Sequence, residues 1–143
     1  MSSIKESSSF VADPQLISEL ECCAKPAAPG PDGVLFRQGD EPKGVFIVHQ
    51  GRVTLAMQTA AESAMNTRVG PGSVLGLPAV IGGQPYSLTA VAESGAVLSF
   101  APKEDFVALM GSKPAMSFHI LQLLAQEIRA ARAVVSELVD AAQ

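Results

Sequence analysis

The sequence predicts a single, mainly β domain with helices at both ends. Its 143 residues match the usual size of one domain, and 48% of them are apolar against 17% charged, which is enough for one packed core. In the middle of the chain, short β-like runs alternate with Gly and Pro. The last segment, from about Pro114, continues without Gly or Pro and is rich in Ala and Leu, which is typical of a helix.

The N-terminal segment, residues 1–13, is Ser-rich near its start and is expected to be loose. Asp13 followed by Pro14 is a helix start signal, because Asp caps a helix and Pro suits its first turn. We therefore expect a short first helix that ends before Pro26. Its apolar positions are Leu16, Ile17 and Leu20.

Seven short runs in the middle of the chain are predicted as strands. The turns between them contain Gly, which adopts positive φ at little cost. Strands at this spacing are typical of a sandwich, a jelly roll or a barrel. The runs are Val34–Phe36, Val45–Gln50, Arg52–Gln58, Thr67–Val69, Ser73–Leu75, Ser87–Glu93 and Val97–Ala101.

Two helices are predicted after the last strand. Pro102 and the acidic residues behind it open a short helix that stops near Gly111. The second helix covers residues 114–143, so the chain divides into a loose segment 1–13, a β domain with short helices over 14–113, and this long helix.

The long helix carries a 3.5-residue apolar repeat over three heptads, which predicts a partner helix and hence a homodimer. The alternative is a helix packed on its own domain, because Leu123, Val134 and Val139 form a second apolar strip. Both arrangements are compatible, with one strip for each partner. The dimer seam is Leu121, Leu124, Ile128, Ala131, Val135, Leu138 and Ala142.

Composition excludes several function classes. The net charge of −4 and the isoelectric point near 5.1 argue against a broad basic face for nucleic acid. No apolar run is long enough to span a bilayer and the first residues lack a secretory signal, so we expect a cytoplasmic protein with no membrane partner. Cys22 and Cys23 are adjacent and form no disulfide framework, and their role stays open.

Three glycine-containing motifs carry a family resemblance. Residues 34–40 (VLFRQGD) are similar to a G-x-x-L-F-x-x-G-D hairpin, residues 45–53 (VFIVHQGRV) to a Y-x-I-x-x-G-x-V strand pair, and residues 70–76 (GPGSVLG) to a G-P-G-D-x-F-G run. In this order, over residues 14–141, they resemble the cyclic-nucleotide-binding domain of the Crp/Fnr regulators. The resemblance implies a double-stranded β-helix, or jelly-roll, barrel in a non-catalytic regulatory module with a long dimerisation helix.

The resemblance also implies a ligand pocket at the family's phosphate-binding cassette, written F-G-E-L-A-x-x-x-x-x-P-R-[SAT]-A. Here the segment reads LGLPAVIGGQPYSLT, so Leu77 stands at the Glu that binds the ribose and Tyr86 at the Arg that binds the phosphate. Each lost contact is worth about 1–3 kcal/mol, and Pro78 removes one backbone N–H. The pocket positions are Gly76, Leu77, Pro78, Ala79, Tyr86, Ser87 and Leu88.

We therefore expect that neither cAMP nor cGMP is a ligand, that no other cofactor is bound, and that the domain acts through a protein partner or an unidentified ligand. In one alternative the chain is a genuine cyclic-nucleotide sensor in which Arg68 or Arg129 reaches the pocket. In another, Tyr86 donates hydrogen bonds to a smaller ligand; otherwise it fills the vacated space.

Catalytic and metal chemistry have no positive signal. Two thiols are too few for a four-thiolate iron–sulfur cluster, and His49 and His119 lack the H-x-H spacing of a cupin-like metal enzyme, the third hypothesis. Crp/Fnr regulators continue into a helix-turn-helix domain. This sequence ends at Gln143, and whether it is a stand-alone domain or part of a longer regulator stays open; direct DNA binding by the chain is not expected.

Overall fold

The computed structural model describes residues 5–7, 10–30, 32–58 and 64–126. The described chain contains nine strands, three complete helices and the start of a fourth. In chain order they are β1 (Lys5–Ser7), α1 (Pro14–Leu20), β2 (Lys25–Pro26), β3 (Val34–Phe36), β4 (Gly44–Gln50), β5 (Val53–Gln58), β6 (Ala64–Val69), β7 (Val74–Leu75), α2 (Leu77–Gly82), β8 (Thr89–Ala92), β9 (Val97–Pro102), α3 (Lys103–Ser112) and α4, of which residues 114–126 are described.

The strands form two sheets, one of five strands in the order β1-β6-β5-β8-β3 and one of four in the order β2-β9-β4-β7. Their pairs are antiparallel, except that β1 lies parallel to β6. A ladder of six residue pairs joins β4 to β9, with Phe46 opposite Phe100 and Ile47 opposite Ser99. This layout agrees with the predicted mainly β class with flanking helices.

Local sequence explains the ends of the helices. Asp13 caps α1, because its Oδ1 accepts a hydrogen bond from the Gln15 N–H at 2.8 Å. Glu104 and Asp105 lie in the first turn of α3, where negative charge suits the helix dipole. Lys113 separates α3 from α4 with φ −132° and ψ 87°, since a residue that precedes Pro is disfavoured in the helical region.

Two short segments that were not predicted as strands are paired in the structure. Lys5–Ser7, expected to be loose, pairs with β6, because an open strand edge offers backbone partners to a segment with no apolar pattern of its own. Lys25–Pro26 pairs with β9 as an edge strand, where Pro is tolerated. The predicted dimer seam stays a prediction: Leu121 is exposed and Leu124 is partly buried, and positions 128–142 lie outside the described residues.

Two hydrophobic clusters lie on opposite faces of the β4–β9 ladder. The first cluster, the helix-side core, lies between one face of the ladder and helices α1, α3 and α4. The second, the roll interior, lies on the other face, between the two sheets. Because both faces of β4 are covered, its residues Val45–Val48 form a continuous apolar run. The helix-side core is Ala12, Leu16, Leu20, Val45, Ile47, Val74, Leu77, Val80, Ala101, Phe106, Met116, Ile120 and Leu123. The roll interior is Phe36, Val48, Val53, Leu55, Val69, Leu75, Ala79, Tyr86, Ala90 and Leu98.

Candidate functional site

The predicted pocket positions lie on one compact segment, residues 76–88, which follows β7 and contains α2. Their side chains are divided between the two clusters. Leu77 is fully buried in the helix-side core, whereas Ala79 and Tyr86 belong to the roll interior, against which Leu88 is packed. Pro78 and Ser87 are exposed. The segment therefore does not gather all seven side chains around one space.

Tyr86 is buried, and its hydroxyl is bonded to the main chain at the start of β4. The hydroxyl donates to the carbonyl oxygen of Gly44 at 2.7 Å. It also accepts from the N–H groups of Lys43 at 3.1 Å and Gly44 at 3.3 Å. Since one O–H and its lone pairs are committed to these backbone groups, the hydroxyl has no capacity left for a ligand.

Two glycines allow close packing where the cassette segment, β4 and β9 meet. Gly76 has φ 94°, and a Cβ there would meet Tyr86 Cε1 at 3.0 Å and the Gly44 oxygen at 3.2 Å. At Gly44, a Cβ would collide with the Ala101 carbonyl oxygen and with the ring of Phe100. The cassette segment is therefore packed tightly against β4 through Tyr86.

Charge is missing from the segment itself, because residues 76–88 include no Asp, Glu, Lys or Arg. Arg68 is engaged with Glu93, whose two carboxylate oxygens accept from Arg68 Nε and Nη2 at 2.6 Å each. These hydrogen bonds are the main reason that the pKa of Glu93 lies below its ordinary value. The other candidate, Arg129, lies outside the described residues.

A cavity of about 530 Å³ lies beside the ring of Tyr86. Its aromatic wall consists of Phe36, Phe46, Phe100 and Tyr86. Of the pocket positions predicted from the sequence, Tyr86 alone is among the residues that line this cavity. Two of its rings, Phe46 and Phe100, occupy opposing positions on β4 and β9. Because side chains alternate between the two faces of a strand, the sequence spacing of these residues could have indicated that they share a face.

The histidines and cysteines are placed apart from this cavity. His49 Nε2 lies 2.6 Å from Ser99 Oγ and its Nδ1 lies 3.5 Å from Glu21 Oε1, so the side chain links the end of α1 to the sheet. Cys22 and Cys23 are free, and burial raises the pKa of the Cys23 thiol. The described ranges contain no group of three or more His, Cys, Asp or Glu side chains placed to hold a metal ion.

Comparison with known proteins decides the family. The family model described as "Cyclic nucleotide-binding domain" matches residues 30–113, more than half of the chain. The chain belongs to this family. No curated protein matches its sequence.

Solved structures show the same jelly-roll fold. The catabolite activator protein of Thermus thermophilus superposes with a TM-score of 0.72 at 24% identity, covering 89% of this chain and 60% of that one. The N-terminal domain of a transcriptional regulator from Streptomyces coelicolor gives 0.62 at 19% identity, covering 86% and 87%. The regulatory domain of Toxoplasma gondii PKA, solved with cAMP, gives 0.64 at 17% identity, covering 82% and 43%.

These comparisons confirm the predicted family and the jelly-roll class. The chain spans less than two thirds of the Thermus protein's length, so the likeness concerns this domain alone. Within the part of the chain that the structure describes, no helix is both long and apolar enough to cross a membrane.

Proposed function

We propose that this cyclic-nucleotide-binding-type domain is a non-catalytic regulatory module that binds neither cAMP nor cGMP. The observation that carries the proposal is Tyr86, which replaces the Arg of the family's cassette pattern and is committed to the backbone of Lys43 and Gly44. A cyclic phosphate would meet an aromatic ring at this position in place of a guanidinium.

The surroundings of Leu77 support the same conclusion. The family's pattern has a Glu at this position, but the Leu77 side chain is fully buried within the helix-side core. A ribose hydroxyl has no acceptor there. Together the two losses weaken binding by roughly a hundredfold to several thousandfold.

Titration calorimetry of the purified chain with cAMP and cGMP tests this proposal, because a cyclic nucleotide is the ligand in one related domain. We expect no saturable heat up to about 5 mM ligand, with 5′-AMP as the control for unspecific phosphate binding. Saturable micromolar binding of either cyclic nucleotide, absent for 5′-AMP, would contradict the proposal and favour the alternative of a genuine sensor.

We further propose that the module is a homodimer through α4. The described part of this helix buries Met116, Ile120 and Leu123 in its own domain but leaves Phe118 61% and Leu121 64% exposed. Two large apolar side chains on one helix face are typical of an interface. Leu121 begins the predicted heptad seam, whose later positions lie outside the described residues.

A charge substitution at the exposed position tests the dimer. We expect wild-type protein to show twice the 14.8 kDa chain mass in light scattering and Leu121→Glu to shift toward the monomer. Gln122→Glu adds the same carboxylate on the neighbouring exposed position and should leave the dimer intact. An unchanged mass for Leu121→Glu, or a monomeric wild type, would contradict the proposed interface.

A further inference from the structure

The cavity beside Tyr86 has an aromatic wall built as a chain of neighbouring rings. Tyr86 stacks on Phe36 with ring centroids 3.9 Å apart and an interplanar angle of 17°. Phe36 lies 5.8 Å from Phe46, which lies 4.8 Å from Phe100. The sequence holds six Phe, one Tyr and no Trp, so a large part of its aromatic surface is concentrated at this one opening.

The other apolar lining residues and the size of the cavity suit a small organic molecule. Apolar residues of the segment that includes β2 and of β3 complete the lining, and the volume of about 530 Å³ falls in the range of roughly 300–1,000 Å³ that ligand pockets occupy. Phe46 and Phe100 are only partly buried, so part of each ring surface is accessible. These lining residues are Pro26, Ala27, Ala28, Pro29, Val34 and Leu35.

The polar residues at the cavity favour a positive ligand. Asp40 and Glu41 contribute two carboxylates, and Lys43 contributes one ammonium group. Phe46 and Phe100, the two partly exposed rings of the wall, have electronegative faces that attract cations at distances within about 6 Å. The Tyr86 hydroxyl is occupied by the backbone, so ring faces and rim charges are the recognition elements that remain.

We propose that this cavity is a binding site for a small organic cation, an aryl- or alkyl-substituted ammonium compound. The ammonium group lies against the ring faces near Asp40 and Glu41, and the hydrocarbon part fills the apolar wall. Apart from Tyr86, whose ring lines the cavity, the site is built by residues outside the cassette segment, and cation binding does not require that cyclic nucleotides bind at residues 76–88. Failure of one proposal therefore leaves the other standing.

Benzyltrimethylammonium is a suitable probe, and the protein supplies its own reporter. Tyr86 is the single Tyr in a chain without Trp, so the intrinsic emission comes from a residue that lines the cavity. We expect saturable quenching by the cation, with at least about tenfold weaker binding of neutral benzyl alcohol and of anionic phenylacetate. No saturable response to the cation, or equal or tighter binding of either comparison compound, would overturn the proposal.

Two variants test the source of the selectivity. Phe46→Leu keeps an apolar side chain but removes a ring face, and should raise the dissociation constant of benzyltrimethylammonium about tenfold. Lys43→Gln removes the opposing charge from an exposed position and should lower that constant about twofold to fivefold, even if Phe46→Leu does not fold.

Lys113→Gln, which removes the same charge at the junction of α3 and α4, serves as the matched control and should leave the constant unchanged. Weaker binding by Lys43→Gln, or equal tightening by Lys113→Gln, would overturn the assignment to this cavity.

Discussion

The two faces of the β4–β9 ladder differ in how completely they are filled. On the helix side, Val45, Ile47 and Ala101 are fully buried against α1, α3 and α4. On the other side, Phe46 and Phe100 alternate with them along the same strands, yet remain partly exposed beside a cavity. The same backbone therefore supports a closed core on one face and an open, aromatic-lined space on the other.

This difference suggests separate roles for the two faces, one in the stability of the fold and the other in ligand binding. In the helix-side core, Val45, Ile47 and Ala101 are fully buried and pack against three helices. The cavity beside Tyr86 is lined by aromatic rings together with the charged residues Asp40, Glu41 and Lys43, which is the composition of a binding site. We expect substitutions on the helix side to change the free energy of unfolding most, and substitutions in the roll interior to change ligand binding relatively more.

The largest expected effect is that of Phe106→Ala in the helix-side core. Phe106 is fully buried, so its truncation should lower the free energy of unfolding by about 3–5 kcal/mol. Phe100→Ala is the matched change on the other face, and because Phe100 is partly exposed it should cost about 1–2 kcal/mol. Urea denaturation of both variants measures the contrast, and equal costs would show that the two faces are filled alike.

The next effect concerns the bond that anchors the cassette segment to β4. Tyr86→Phe keeps the stacked ring but removes the hydroxyl that bonds to Gly44 and Lys43. We expect a loss of about 1–3 kcal/mol in urea denaturation, because buried backbone groups lose their partner. An unchanged free energy of unfolding would mean that the hydroxyl does not hold the segment in place.

The smallest effect is expected at the Arg68–Glu93 pair, on the surface of the five-stranded sheet. Both side chains are more than a third exposed, so the pair adds little stability. Its contribution should nevertheless depend on pH. The pKa of Glu93 in the folded chain lies below the ordinary value of 4.5, so the pair stabilises the fold above that pH and ceases to do so as the pH falls through the folded pKa.

Glu93→Gln should therefore lower the urea midpoint slightly at pH 7, and the difference from wild type should close as the pH falls through the folded pKa of Glu93. Asp32→Asn removes a carboxylate from an exposed loop position and serves as the control, for which no such closing gap is expected. If the difference in urea midpoint between wild type and Glu93→Gln persists unchanged in acid, the ion pair is not its source.

Much of the fold could be predicted because the sequence pattern is local and strong. The run Val34–Phe36 coincides with β3, and the strand predicted at Val45–Gln50 differs from β4 by a single residue. The helix start at Asp13 is confirmed by its side-chain cap. The two-residue strand Lys25–Pro26 could not be predicted, since it is defined by its long-range partner β9 and has no periodicity of its own.

The candidate site was harder to predict, because the spacing of a sequence motif gives the position of a residue in the chain and not the direction of its side chain. The cassette frame placed Leu77 and Tyr86 together in one pocket, whereas the structure buries Leu77 among helices and Tyr86 between sheets. The aromatic cavity depends on which faces of β3, β4 and β9 meet, and this contact is set by sheet packing over long sequence separations. Whether the seven pocket positions bind a ligand remains a prediction.

The central claim is that the domain has the family's fold but does not bind cyclic nucleotides. A residue-resolved NMR titration of the whole chain with cAMP tests this claim most directly. We expect the amide signals of Gly76, Ala79 and Ser87 to stay in place at about 5 mM cAMP. Benzyltrimethylammonium should instead shift the signals of Phe46 and Phe100. Saturable shifts at the cassette amides on addition of cAMP would contradict the conclusion that Leu77 and Tyr86 have removed cyclic-nucleotide recognition.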